Sequence, residues 1–243
     1  MSGRVASRIG LAAMLIAALS VVAARVSFAQ SALRATEPLP LIEVRADTGS
    51  AVALLLSGDG GWADGDRALA DALALGGISV VGLDTRRYLR GAKRTPESVA
   101  RDAAWIIQQY SAVWHRDRLV LVGYSRGADL APFIVRRWPD GLRRRLALVA
   151  LVGLADHASF EFHWQDVLHD VRRATDLATR PELERIRGVR MLCVYAEDER
   201  GSLCPALDST LARVARIPGG HVLHGSTGTA VGALVVDAMR RRQ

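Results

Sequence analysis

The run Leu119-Val-Leu-Val122 leads directly into Gly123-Tyr-Ser-Arg-Gly127, and a helix-patterned stretch, Arg126 to Arg137, follows directly. That strand–turn–helix order leaves few folds open. An unbroken aliphatic run is the pattern of a strand covered on both faces. A turn this tight gives no room for side chains at its first and last glycine. The serine between them is lifted above the sheet, at the start of a helix, where the positive end of the helix dipole favours a developing oxyanion. The pentapeptide alone is common. Its setting gives it weight over an ordinary βα turn with a capping serine.

The rest of the sequence alternates in the same way. Ala51–Leu56, Ile78–Leu83, Arg118–Val122, Leu146–Val152, Val189–Tyr195 and Arg213–Ile217 read as strands. Helices are predicted over Trp62–Leu75, from Pro96 to about Trp114 behind a Thr95 cap, over Arg126–Arg137, from Cys204 to about Leu211, and over Thr227–Arg241. Such alternation predicts crossover helices around a parallel sheet. With the serine turn it predicts an α/β-hydrolase fold: a mostly parallel central sheet flanked by helices, without a large cap domain. The 243 residues, 50% of them hydrophobic, suffice for one such domain.

The amino terminus reads differently. Arg4 and Arg8 precede an apolar stretch, Ile9 to Ala24, and Ser27-Phe-Ala29 forms a small-x-small pattern. Residues 1–29 are expected to be a secretory signal peptide, 30–45 a flexible arm, and 46–243 the folded domain. The apolar stretch is shorter than the roughly 20 residues of a spanning helix. A periplasmic location is expected. Without residues 1–29 the chain has 29 basic and 25 acidic residues, a balance of +4 rather than +7. That mild charge allows peripheral contact with an anionic membrane surface. No nucleic-acid module is visible. Cys193 and Cys204 are an even pair in an oxidising compartment, which suggests a disulfide. A strand thiol and an unrelated loop thiol are the alternative.

A serine nucleophile needs a base and an orienting acid, and in this fold the acid precedes the histidine. The strand ending at Tyr195 runs into Ala196-Glu-Asp-Glu199, from which Asp198 is the first choice, Glu197 the second and Glu199 the third. Pro218-Gly-Gly-His221 offers His221 as the base, ahead of His224. The backbone N–H groups of Arg126 and of Asp59, within Ser57-Gly-Asp-Gly-Gly-Trp62, are the expected oxyanion donors. Gly60, Trp62 and Tyr124 flank these loops and are expected to touch substrate. His157, His163 and His169 are six residues apart. Six helical residues turn about 600°, so a helix would point the three in different directions. No metal and no cofactor are expected.

Taken together, Ser57-Gly-Asp-Gly-Gly-Trp62, Leu83-Asp-Thr-Arg-Arg-Tyr88, Arg94-Thr-Pro-Glu97, Gly123-Tyr-Ser-Arg-Gly-Ala-Asp129 with Pro132-Phe133, Ser202-Leu-Cys-Pro205 and Pro218-Gly-Gly-His221 resemble the bacterial virulence protein family VirJ/AcvB. The similarity spans nearly all of the chain after the leader. It implies a periplasmic α/β-hydrolase with Ser125 as nucleophile, His221 as base and Asp198 as acid. It also implies hydrolysis of lysyl-phosphatidylglycerol or another ester, and a link to the proteins of type IV secretion. Asp59, Asp64 and Asp129 are then candidates to receive a cationic lysyl group. Val222-Leu-His-Gly225 departs from the aromatic or acidic residues expected after Gly-Gly-His.

Overall fold

The computed structural model describes residues 38–90, 93–163 and 172–241. The leader expected over 1–29, residues 30–37 of the arm expected over 30–45, and His169 lie outside these. The compact unit Pro40–Gln243 is built on seven strands. In chain order they are β1 (Leu41–Val44), β2 (Ala51–Leu56), β3 (Ile78–Leu83), β4 (Arg118–Tyr124), β5 (Leu146–Val152), β8 (Met191–Ala196) and β9 (Arg213–Ile217). Their spatial order is β1-β3-β2-β4-β5-β8-β9. Every pairing is parallel except β1 with β3. A two-stranded ribbon, β6 (His157–Ala158) with β7 (Leu177–Ala178), stands apart. The predicted α/β-hydrolase fold is the observed one, and no large cap covers the carboxyl ends of the strands among the described residues.

The helices are α1 (Asp64–Leu75), α2 (Thr85–Arg90), α3 (Pro96–Val113), α4 (Arg126–Arg137), α5 (Asp140–Arg143), α6 (Arg180–Arg185) and α7 (Gly225–Arg240). α1 and α7 pack together over one face of the sheet, where Leu69, Leu73, Val231 and Val235 are fully buried against Leu55, Val80 and Val122. α3 and α4 pack against each other, and both pack on strands. The central strands β2 and β3 are buried along their whole length, which explains why they read as apolar runs.

Two local expectations are corrected, and one helix appears where none was predicted. Leu41–Val44, placed in the arm, is the edge strand β1. It is too short to announce itself, and it is held by antiparallel pairing to β3. Thr85–Arg90 is a helix, started by Asp84, whose Oδ1 accepts the Arg87 N–H at 3.0 Å. The helix expected from Cys204 to Leu211 is only one 3₁₀ turn, Cys204–Ala206. Asp208 Oδ1 there accepts the Thr210 N–H, forming a turn that competes with helix continuation.

Candidate active site

β4 ends at Tyr124, and Ser125 opens α4 at φ +52°, ψ −119°. A non-glycine residue rarely adopts that conformation, and holding it costs of order 1–3 kcal/mol. Surrounding bonds impose it: Ser125 N–H donates to the Val152 carbonyl at 2.8 Å, and its own carbonyl accepts from Ala128 and Asp129. The flanking glycines are obligatory. A Cβ at Gly123 would lie 2.3 Å from the Gly127 carbonyl oxygen, and one at Gly127 would lie 2.2 Å from that of Leu56.

The Ser125 Oγ is 2.8 Å from His221 Nε2, although 96 residues separate the two in sequence. The imidazole comes from the loop after β9. Its other nitrogen, Nδ1, is 2.7 Å from Glu199 Oε1. Serine, histidine and carboxylate thus form one hydrogen-bonded line. The Glu199 side chain is 7% exposed and that of His221 45%, so the acid end is buried and the base end faces outward.

Glu199, not Asp198, is the carboxylate at the histidine. β8 ends at Ala196, and a turn brings the Glu199 N–H back onto the Ala196 carbonyl. The second Glu199 oxygen accepts the Ala196 N–H at 3.1 Å. Asp198 uses its backbone N–H to bind the Gly219 carbonyl, and its side chain is exposed. Glu197 is also exposed and lies 3.3 Å from Arg216. His224 is exposed and is the N-cap residue of α7, and it is His221 that bonds Ser125 and Glu199.

Arg126 stands first in α4. Its buried side chain donates Nε–H to Asp59 Oδ1 at 3.1 Å, tying the serine turn to the Ser57–Gly61 loop. That loop passes close to Ser125: a Cβ at Gly58 would lie 3.2 Å from Ser125 Cβ. Ser57 Oγ in turn accepts the Thr85 N–H at 3.0 Å, fixing the loop against α2.

The expected substrate contacts divide. Gly60 has open space around it, and Asp64 is exposed in the first turn of α1, close to Gly225. The Trp62 indole lies across Gly82 of β3 as packing. Asp129 is turned inward, 7% exposed, and its Oδ1 accepts the Ala155 N–H at 2.8 Å. Tyr124 braces the histidine loop: its hydroxyl donates to the His221 carbonyl and accepts the Leu223 N–H, both at 3.0 Å. Sequence reasoning missed this role, and it missed Gly153. A side chain at Gly153 would come within 3.0 Å of His221 Cε1 and 3.2 Å of Glu199 Oε1. A glycine directly after an apolar strand was its only signal.

The predicted disulfide is present, Cys193 to Cys204 with Cα atoms 5.5 Å apart, and it spans the turn that carries Glu199. His157 is buried against Asp156, with Nδ1 to Oδ1 at 2.6 Å, and His163 Nε2 lies 3.9 Å from Glu161. Among the described residues, no group of three histidine, cysteine or acidic side chains is arranged to hold a metal. None of the described helices is long and apolar enough to cross a membrane.

The family model described as "Bacterial virulence protein (VirJ)" matches residues 50–243. Comparison with curated proteins gives no match. Solved structures share the fold at low identity. Est1E from Butyrivibrio proteoclasticus is 10% identical with a TM-score of 0.59, covering 83% of this chain and 93% of that one. The esterase domain of a Rhodothermus marinus protein is 14% identical with a TM-score of 0.55, over 84% and 99%. A monoacylglycerol lipase of Paleococcus ferrophilus is 14% identical with a TM-score of 0.57, over 84% and 98%.

Proposed function

Because the chain belongs to the VirJ family of bacterial virulence proteins and has an α/β-hydrolase fold, we propose that it is a serine ester hydrolase acting through Ser125, His221 and Glu199. The observation that carries this reading is the 2.8 Å approach of Ser125 Oγ to His221 Nε2, with Glu199 on the far nitrogen. A serine merely capping a helix has no need of a histidine oriented by a buried carboxylate.

The chemistry follows from the geometry. With Glu199 accepting a hydrogen bond from Nδ1–H, the imidazole presents a bare Nε2 to the serine hydroxyl. His221 takes the Oγ proton as Oγ attacks the ester carbonyl. Charge then develops on the carbonyl oxygen, and the Arg126 N–H together with the Asp59 N–H of the glycine loop receives it. Glu199 stabilises the imidazolium. His221 returns the proton to the departing alcohol, the C–O bond breaks, and an acyl-serine remains. Water, activated by the same imidazole, releases the acid and restores the hydroxyl.

The substrate we favour is an aminoacyl-phospholipid of the lysyl-phosphatidylglycerol type, met at the membrane surface of the periplasm. An activated aminoacyl ester requires acyl transfer alone, and the exposed base suits a headgroup presented at an interface. Asp64 remains the candidate for the lysyl ammonium. The disulfide suits an oxidising compartment.

The test is purified protein with 4-nitrophenyl butyrate and, separately, lysyl-phosphatidylglycerol vesicles, each against Ser125→Ala. Turnover lost in the variant is expected with both, with lysine as the product from the vesicles. Turnover of the chromogenic ester alone would assign a general esterase. Absence of serine-dependent turnover on either would leave a non-catalytic secretion factor.

A further inference from the structure

The hydrolase site uses the carboxyl ends of the strands, and the amino ends form a second edge. Arg118 is the first residue of β4 and Ser125 follows its last. The length of the strand, roughly 20 Å at about 3.3 Å per residue, lies between them. Two clefts open at this edge. The larger, of about 730 Å³, lies among the segment before β2, the end of α1 and the end of α7. The smaller, of about 370 Å³, continues it towards α5 and the start of β5. Arg118 and Arg190 line both, so the two form one elongated depression.

The depression is basic. Arg240 and Arg241 add to the wall of the larger cleft and Arg143 to that of the smaller, and no acidic side chain lines either among the described residues. Arg143 is paired with Asp140, and Arg241 with Asp237. Arg190 donates to the Arg241 carbonyl at 2.6 Å. Among the described residues, the side chains of Arg118, Arg190 and Arg240 have no carboxylate partner. Like charges gathered in this way repel one another, and an anion between them relieves the repulsion. Beneath the charge the larger cleft is apolar: Ile78, Val236 and Met239 are buried in its floor, while Leu75 is 91% exposed on its wall.

We propose that this depression docks an extended acidic and apolar segment of a partner protein, at the end of the sheet away from Ser125. The planar guanidinium fork matches a carboxylate. An extended chain sends successive side chains to opposite sides, so alternating acidic and apolar residues meet the arginines and the apolar floor together. A bilayer also carries anionic charge, but its surface is flat, and these arginines line a hollow. The catalytic site stays open while the segment is bound. The docking does not depend on the chemistry at Ser125.

Fluorescence anisotropy with two labelled hexapeptides at low ionic strength tests it. Glu-Leu-Glu-Leu-Glu-Leu is the acidic probe and Gln-Leu-Gln-Leu-Gln-Leu its uncharged match. The acidic peptide should bind at least about tenfold more tightly, and added salt should erase the difference. Arg118→Gln/Arg240→Gln should bring the acidic peptide down to the level of the uncharged one, at unchanged Tm and unchanged turnover of 4-nitrophenyl butyrate. Arg118→Lys/Arg240→Lys should recover part of the binding. Equal binding of the two peptides, or acidic-peptide binding that survives the glutamine substitutions, overturns the proposal. Ser125→Ala should bind the acidic peptide as the intact protein does, so a failure of the esterase reading leaves this result standing. Sedimentation with phosphatidylglycerol vesicles is the other arm. Vesicle binding that requires Arg118 and Arg240, without binding of the acidic peptide, would assign the face to a membrane and refute a protein partner.

Discussion

Glu199 Oε1 and His221 Nδ1 meet at 2.7 Å across two loops, one after β8 and one after β9. Sheet order explains the meeting, since β8 and β9 are parallel neighbours and their carboxyl ends open on the same side. Two backbone bonds clamp the loops together: Glu197 N–H to the Ile217 carbonyl and Asp198 N–H to the Gly219 carbonyl.

Removing charge without removing shape tests that pair. Glu199→Gln should lower kcat on a short ester by about 10³–10⁴-fold, the scale on which a serine triad loses its correct tautomer. Asp198→Asn and Glu197→Gln lie on the exposed side and should stay within about twofold, as surface substitutions do. A large loss at Asp198 with a small one at Glu199 would reverse the assignment.

Tyr124→Phe should act on the base without touching the substrate. The phenol is the brace that bonds the His221 carbonyl and the Leu223 N–H, and burial holds its pKa above the ordinary value, so it remains protonated well into alkaline solution. Its loss frees the loop by a fraction of an ångström to an ångström. A misplacement on that scale costs about 10–100-fold in kcat. KM for a small ester should change far less. An unaltered kcat would mean that the loop is held by its backbone alone.

These two residues also mark where the sequence stops being readable. The central strands were legible because burial on both faces leaves only apolar side chains, and Gly123-Tyr-Ser-Arg-Gly127 was legible because the strand, turn and helix that give it its setting are consecutive in the chain. Ser125 and His221 followed from chain order. Which of three consecutive acids meets the histidine depends on how the turn Ala196–Glu199 docks on Gly219, a contact between distant segments that no local pattern encodes. Tyr124 was expected at the substrate because it adjoins the serine. Its hydroxyl instead serves residues 97 and 99 positions away. β1 was hidden for a related reason: four residues cannot signal an edge strand whose partner is β3.

The Cys193–Cys204 bridge closes a short loop around Glu199, with a sequence separation of 11. Cys193→Ala/Cys204→Ala should lose roughly 3 kcal/mol of stability, chiefly because the unfolded chain regains the freedom that the cross-link removes. For a domain of this size that corresponds to a fall in Tm of about 6–10 °C. Freed from β8, the turn should also hold the carboxylate less firmly, so kcat should fall while the protein is still folded. Calorimetry and ester assays at 25 °C separate the effects. A lower Tm with full kcat would restrict the bridge to stability.

Asp66 gives the folded state a pH dependence of its own. It stands in the first turn of α1, 1% exposed. Oδ2 accepts the Ala63 N–H at 3.1 Å, and Oδ1 has no hydrogen-bond partner among the described residues. Burial is the main force on its acidity, with the nearby Asp84 charge adding to it, and the pKa is pushed up to about 6 from 3.8. The folded chain therefore prefers the neutral acid. That contribution is complete below about pH 4 and is lost as pH rises through about 6. Asp66→Asn keeps an acceptor for Ala63 but cannot ionise. Between pH 4 and pH 7 the difference in unfolding free energy should move in favour of the asparagine variant by about 2–3 kcal/mol, at 1.36 kcal/mol per pKa unit. Urea unfolding of both proteins at the two pH values measures it, and other titrating groups cancel in the comparison. A difference that stays constant across that range would show that Asp66 is ionised in the folded protein at little cost.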